Sequence, residues 1–134
     1  MFDLHCHILP GVDDGAKDKK ESEKMLRIAY KEGIRKIVAT PHYYCGMEAG
    51  ELEKRTAAYQ WLCSRAAEVS SDMEIYLGAE IYYESGILDE LKMGRVPTVN
   101  DTRYVLVEFP VNIDYNYIFH AVQNLQYTGF RPVL

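Results

Sequence analysis

Phe2-Asp-Leu-His-Cys-His7, running directly into Ile8-Leu-Pro-Gly-Val-Asp-Asp-Gly15, is the stretch from which the rest of this 134-residue chain can be read. Its first part reads as a strand, Phe2 to His7. Its second, Leu9 to Ala16, is a turn-rich loop holding Pro10, Gly11, Asp13, Asp14 and Gly15. Side chains alternate along a strand, so His5 and His7 point one way and Cys6 the other, as a core thiol. An HxH pair alone is a weak signal. A strand that ends on it and opens into a carboxylate-bearing loop is a stronger one.

The remaining segments alternate in the same manner. Asp18 reads as an N-cap with Glu21 three residues on, opening a helix that runs through Met25, Leu26, Ala29 and Tyr30 and stops at Gly33. Ile34 to Thr40 is a buried-type strand ended by Pro41. Leu52, Thr56, Tyr59, Cys63 and Ala66, spaced by four and three, mark one face of a helix from Ala49 to Ser70. Glu74 to Glu80 reads as a strand with Ile75, Leu77 and Ala79 on one face. A short helix near Gly86 to Lys92, a strand Tyr104 to Phe109 and a helix Asp114 to Tyr127 ending at Gly129 follow. Arg131 to Leu134 reads as the start of another strand.

Strands separated by helical crossovers indicate an α/β fold with parallel strands. A (β/α) barrel takes about 250 residues. The chain therefore reads as the N-terminal half of a barrel, with an open α/β sheet as the alternative.

Bulk properties exclude several function classes. The net charge of −5 argues against a nucleic-acid backbone as partner. No apolar run approaches the roughly 18 residues of a membrane span, so no membrane insertion is expected. No basic segment precedes an apolar one at the N-terminus, and the three cysteines form neither a CxxC zinc pattern nor a disulfide framework. A cytoplasmic location follows as the expectation.

Polar residues recur at the strand ends: His5, His7, His42, Glu80 and Glu108, with Asp13 and Asp14 in the first loop. In parallel α/β folds the carboxyl ends of strands share one face, where ligands bind. Three imidazoles and several carboxylates would meet there. Such nitrogen and oxygen donors suit Mn, Zn, Fe or Mg. A carboxylate such as Glu80 bridges two ions, and ions about 4 Å apart share a hydroxide for in-line attack at phosphorus. Asp13 is expected to be structural, stabilising the turn. His120 is expected to be structural or solvated. Tyr43, Tyr44, Tyr82 and Tyr83 adjoin these residues and are candidates to line a pocket for an aromatic substrate. Cysteine-based phosphatase chemistry needs an arginine six residues after the nucleophile. Cys6, Cys45 and Cys63 have Val12, Glu51 and Val69 there.

The run Asp3-Leu-His-Cys-His-Ile-Leu-Pro-Gly-Val-Asp-Asp-Gly15 closely resembles the first motif of the bacterial capsular- and exopolysaccharide-type tyrosine-protein phosphatases of the polymerase-and-histidinol-phosphatase (PHP) superfamily. Ala39-Thr-Pro-His42, Gly78-Ala-Glu80 and Tyr104-Val-Leu-Val-Glu-Phe-Pro110 resemble the next motifs in order. The resemblance spans residues 1–134, a single PHP domain of which this would be the N-terminal portion. It implies a distorted (β/α)7 barrel whose metal ligands here are His5, His7, Asp14, His42, Glu80 and Glu108, with Glu80 bridging.

The same resemblance implies Mn2+, two or three ions in a complete site, with Zn2+, Fe2+ or Mg2+ as substitutes. It implies hydrolysis of phosphotyrosine by metal-bound hydroxide, on a protein partner that is a tyrosine kinase of polysaccharide export. The remaining histidine ligands, an aspartate and the phosphate-binding arginines are expected beyond Leu134. A chain lacking them would expose strand edges and self-associate. Two alternatives stand beside this reading. One is a small-molecule phosphoesterase of histidinol-phosphate type; the other is a catalytically incomplete fragment or binding module.

Overall fold

The computed structural model describes all residues, 1–134. Seven strands and four helices follow one another: β1 (Phe2–Cys6), α1 (Lys19–Lys31), β2 (Lys36–Ala39), β3 (His42–Tyr43), α2 (Ala49–Val69), β4 (Glu74–Leu77), β5 (Glu80–Tyr82), α3 (Ile87–Lys92), β6 (Tyr104–Glu108), α4 (Tyr115–Tyr127) and β7 (Arg131–Val133). A 3-10 turn, Val99–Asp101, precedes β6 and was not foreseen. Every strand pairing is parallel. Helix starts and stops follow local chemistry. The Asp18 side chain accepts from Glu21 N at 2.8 Å to cap α1, and Gly33 beyond its end takes φ +86°. Asp114 caps α4 in the same way, through Asn116 N.

Two expected strands are each divided in two. Ile34–Thr40 becomes β2 and then β3 across Thr40-Pro41, and Glu74–Glu80 becomes β4 and then β5 across Gly78-Ala79. Pro41 has no N–H for a ladder. Gly78 lies where a Cβ would come within 3.1 Å of Val38 Cγ1. The wall stays continuous because Gly78 N donates to Ala39 O at 2.9 Å and Glu80 N to Pro41 O at 3.1 Å. The division also separates residues expected on one face. Ile75 and Leu77 pack in one core, while Ala79 packs in another.

The two ladders run β1-β2-β4 and β3-β5-β6-β7. Neighbours therefore follow chain order without reversal. An open doubly wound sheet reverses its order at a switch point, so the wall is that of a barrel opened along one side. Outside it, one core joins β2 and β4 to α1 and α2 around Leu26, Ile37, Leu62 and Ile75. A second joins β5 and β6 to α3 and α4 around Ile81, Ile87, Val105 and Leu125. The buried face of α2 is Leu52, Arg55, Tyr59, Leu62 and Ala66. Thr56, expected on that face, is exposed. On the inner side Leu4, Val99, Tyr104, Leu106 and Val133 line a wholly apolar cavity of about 240 Å3. No helix is long and apolar enough to cross a membrane.

Candidate metal centre

The polar residues expected at the strand ends meet, although His42 and Glu80 open the short strands β3 and β5 instead of ending the strands before them. The first ligand-bearing segment is fixed from both sides. Cys6 N donates to Thr40 Oγ1 at 3.0 Å, and Thr40 N donates to Cys6 O at 2.9 Å. The following loop then folds tightly back, with Ala16 N donating to His7 O at 3.0 Å and Gly11 N to Ala16 O at 2.7 Å. Gly15 is required for this return. A Cβ there would sit 2.1 Å from His7 O and 2.4 Å from His7 Cβ. Cys6 packs against the α1–α2 core as expected, and burial pushes its thiol up to about 12.

Within this frame the polar side chains converge. His5 Nε2 lies 3.1 Å from Glu80 Oε1, and His7 Nε2 lies 3.0 Å from Glu80 Oε2. The two imidazole nitrogens are 3.0 Å apart. His42 Nδ1 lies 3.2 Å from both Glu80 Oε2 and Glu108 Oε1, and its Nε2 lies 3.2 Å from Asp14 Oδ1. Three groups of ligand atoms result: His5, His7 and Glu80; His7, Asp14 and His42; His42, Glu80 and Glu108. Glu80 is 11 % exposed at the centre, Asp14 80 % exposed at the rim. All six residues singled out as ligands are thus brought together. His120 lies on α4 and belongs to none of these groups.

The donor set fits a cation. His42 Nδ1 is buried and makes no hydrogen bond despite its two carboxylate neighbours, so it is aimed between them and at neither. The carboxylates of Glu80 and Glu108 both face this one imidazole nitrogen, an arrangement that positive charge between them relieves. Nitrogen and oxygen donors in this proportion suit Mn, Zn, Fe or Mg.

Asp13, expected to serve only the turn, does more. Its Oδ1 accepts from Gly15 N at 3.0 Å, which is the turn role. Its Oδ2 accepts from His7 Nδ1 at 2.8 Å and from His42 N at 3.1 Å. One carboxylate thereby holds two ligand segments and directs His7 Nε2 into the cluster. Burial disfavours the charged His7, but the Asp13 bond and charge, with Glu80 and Asp14, outweigh it, and the His7 pKa is raised. Burial likewise disfavours the Asp13 carboxylate. The bonds from His7, Gly15 and His42 prevail and lower its pKa.

Arg55 was missed at the sequence level. Buried on α2, it donates to the carbonyl of His42. Burial lowers its pKa, opposed by the charges of Asp13 and Glu51. Its signal was positional: Arg55 is three residues after Leu52 and four before Tyr59, on the apolar face of the helix. The four tyrosines divide. Tyr43 and Tyr83 are buried in the core, whereas Tyr44 and Tyr82 face the cluster mouth. The Tyr44 ring centroid is 6.2 Å from that of His42 and 5.9 Å from that of Tyr82.

Comparison with known proteins gives the family. Residues 1–134 match the family described as capsular polysaccharide synthesis, CpsB/CapC. The chain is 39 % identical over 134 residues to tyrosine-protein phosphatase CpsB of Streptococcus pneumoniae, covering 55 % of that protein. It is 36 % identical over 134 residues to tyrosine-protein phosphatase YwqE of Bacillus subtilis, covering 53 % of it. It is also similar, at a TM-score of 0.85 and 36 % identity over 98 % of the chain, to a solved structure covered to 53 %. That work describes YwqE from Bacillus subtilis and CpsB from Streptococcus pneumoniae as unique metal-dependent tyrosine phosphatases. The chain spans about half the length of the curated relatives it matches.

Proposed function

The chain belongs to the CpsB/CapC family of capsular polysaccharide synthesis, and from that premise we propose that it supplies one half of the catalytic mouth of a metal-dependent phosphotyrosine-protein phosphatase. The observation that carries this is the sharing of Glu80. One of its oxygens faces His5 and the other faces both His7 and His42, so a single carboxylate joins two donor groups. His5, His7, Asp14, His42, Glu80 and Glu108 are the proposed metal ligands, with Glu80 shared between two donor groups and Mn2+ the proposed ion. Cations held there would supply Lewis-acid polarisation and water activation for phosphate-ester hydrolysis.

The chain's own residues do the positioning. Asp13 orients His7 and ties it to the His42 segment, Arg55 holds the carbonyl of His42, and Thr40 fixes the end of β1. Phosphate-binding arginines and the remaining ligands are proposed to lie in the half of the relatives that this chain does not span. The proposed substrate is a phosphotyrosine protein, a tyrosine kinase of polysaccharide export, met in the cytoplasm.

The test is metal analysis together with turnover. Elemental analysis after dialysis against Mn2+, Zn2+, Fe2+ or Mg2+ should show at least one ion per chain, with Mn2+ giving the highest phosphatase activity when the complementary half of a relative is added. Phosphotyrosine peptide should be hydrolysed in preference to histidinol phosphate. A protein that retains no metal, or that prefers histidinol phosphate, refutes the reading. The chain spans about half of each relative, so a second reading is a metal-binding module without catalysis. Metal occupancy with no turnover even after the complementary half of a relative is added distinguishes it.

A further inference from the structure

Two large aromatic rings stand partly exposed at the mouth of the cluster on backbone that is tied down. Tyr44 is 46 % exposed. Its neighbours are anchored: the buried Tyr43 donates its hydroxyl to Glu90 Oε2 at 2.8 Å, and Cys45 N donates to Glu84 Oε1 at 2.9 Å. Tyr82 sits on β5 opposite Glu108, between the buried Ile81 and Tyr83, and Tyr83 N donates to Glu108 O at 3.0 Å. Alternation along β3 and β5 buries one tyrosine of each Tyr-Tyr pair and turns the other toward the cluster.

Resting on the proposed phosphatase site, we propose that Tyr44 and Tyr82 form a preformed aromatic wall that receives the aryl ring of a phosphate monoester whose phosphate lies on the His42–Glu80–Glu108 group. The rings form a continuous row outward from that group. His42 to Tyr44 is 6.2 Å at an interplanar angle of 30°, and Tyr44 to Tyr82 is 5.9 Å at 44°. Both separations lie in the range of offset or tilted aromatic pairs, so a third ring extends the row without rearrangement. A phosphate held by the cluster places its ester oxygen toward this mouth and a directly attached ring one ring-length further out. An alkyl ester brings no π face to the same position. Because the backbone carrying both tyrosines is tied down before the ligand arrives, the contact orders side-chain rotamers only. The wall selects aryl over alkyl phosphates and acts on binding of the ester, not on the bond-breaking step.

The test uses the 134-residue chain loaded with Mn2+ and equilibrium dialysis of labelled inorganic phosphate, with phenyl phosphate and cyclohexyl phosphate as competitors. The two esters carry the same charge and similar bulk. Phenyl phosphate should compete about three- to tenfold better, the span of one or two aromatic contacts. The preference should vanish in Tyr44→Leu/Tyr82→Leu and persist in Tyr44→Phe/Tyr82→Phe, with far-UV circular dichroism establishing that each variant is folded. Equal competition by the two esters in the native chain, or a preference that survives the leucine pair, overturns the aromatic wall while leaving the phosphate site standing. Absence of phosphate retention by the loaded native chain overturns the site reading itself, and the wall with it.

Discussion

Asp13→Asn is the sharpest test of how the cluster is assembled, because it keeps size and removes one acceptor. In the native chain both Asp13 oxygens accept, Oδ1 from Gly15 N and Oδ2 from His7 Nδ1 and His42 N. An asparagine offers one acceptor and one donor. With its NH2 toward Gly15, the turn amide is left without a partner. With its NH2 toward His7, the imidazole must turn its Nδ1 lone pair to it, which moves the proton to Nε2 and withdraws that nitrogen from the cluster. The side chain is 5 % exposed, so water does not readily substitute. An unsatisfied buried donor costs about 1–3 kcal/mol, or roughly 3–10 °C of melting temperature at this chain length. Loss of an orienting partner costs about 10- to 100-fold in metal affinity.

Thermal melts in EDTA and chelator competition for Mn2+ read the two effects separately. Asp14→Asn serves as the contrast: at 80 % exposure it should lower metal affinity with little change in the metal-free melt. The metal-free protein also reports through pH. The raised His7 pKa contributes stability that is full below 6.5 and lost as pH rises through the raised value. The lowered Asp13 pKa contributes stability present above 3.8 and lost as pH falls through the lowered value. Asp13→Asn should flatten both limbs. Unchanged metal affinity, or a pH–stability curve that superimposes on the native one, would refute the coupling of Asp13 to His7.

Gly15→Ala should destabilise the metal-free chain by at least about 1–3 kcal/mol by driving a Cβ into the His7 backbone. By contrast Gly50→Ala, in α2 with open space around it, should stabilise by up to about 1 kcal/mol; equal effects in urea titrations would contradict the loop geometry. Cys6, with its thiol pushed from 9.0 to about 12, holds roughly a thousandfold less thiolate than an ordinary cysteine at pH 8. Peptide mapping after brief iodoacetamide treatment should find it unlabelled in the folded chain, and labelling as fast as in urea would refute its burial. Arg55→Met leaves the carbonyl of His42 without its donor and should lower the urea midpoint by an amount equivalent to about 1–3 kcal/mol; an unchanged midpoint would show that the bond is dispensable.

Much of this was legible in the sequence for physical reasons. The residues that converge were readable because His and Glu near strand limits break an otherwise apolar pattern, and helix limits because Asp18, Gly33 and Asp114 are residues whose local bonds set a boundary. Asp13 was under-read because a carboxylate in a Gly-rich turn has an adequate local role. Its bond to His42 N spans 29 residues of sequence, and nothing local announces it. The α2 face was read correctly except at Thr56, which holds the same spacing as Arg55 but is exposed. Arg55 takes the buried place because the carbonyl of His42 awaits it.

The divided strands bear on how the cluster is aimed. Neighbouring strands lie about 4.8 Å apart and hold their side chains nearly parallel. Here an irregularity precedes three of the residues that converge. The β1–β2 register shifts between Asp3 and Cys6 ahead of His7, Pro41 interrupts ahead of His42, and Gly78 ahead of Glu80. Irregularities of this kind re-aim side chains, and here the ligand atoms approach to 3.0–3.2 Å. Glu108 ends an unbroken strand and meets the cluster beside His42, whose Nδ1 lies 3.2 Å from its Oε1. Pro41 and Gly78, which interrupt the ladders, thus precede the two cluster residues, His42 and Glu80, that open β3 and β5.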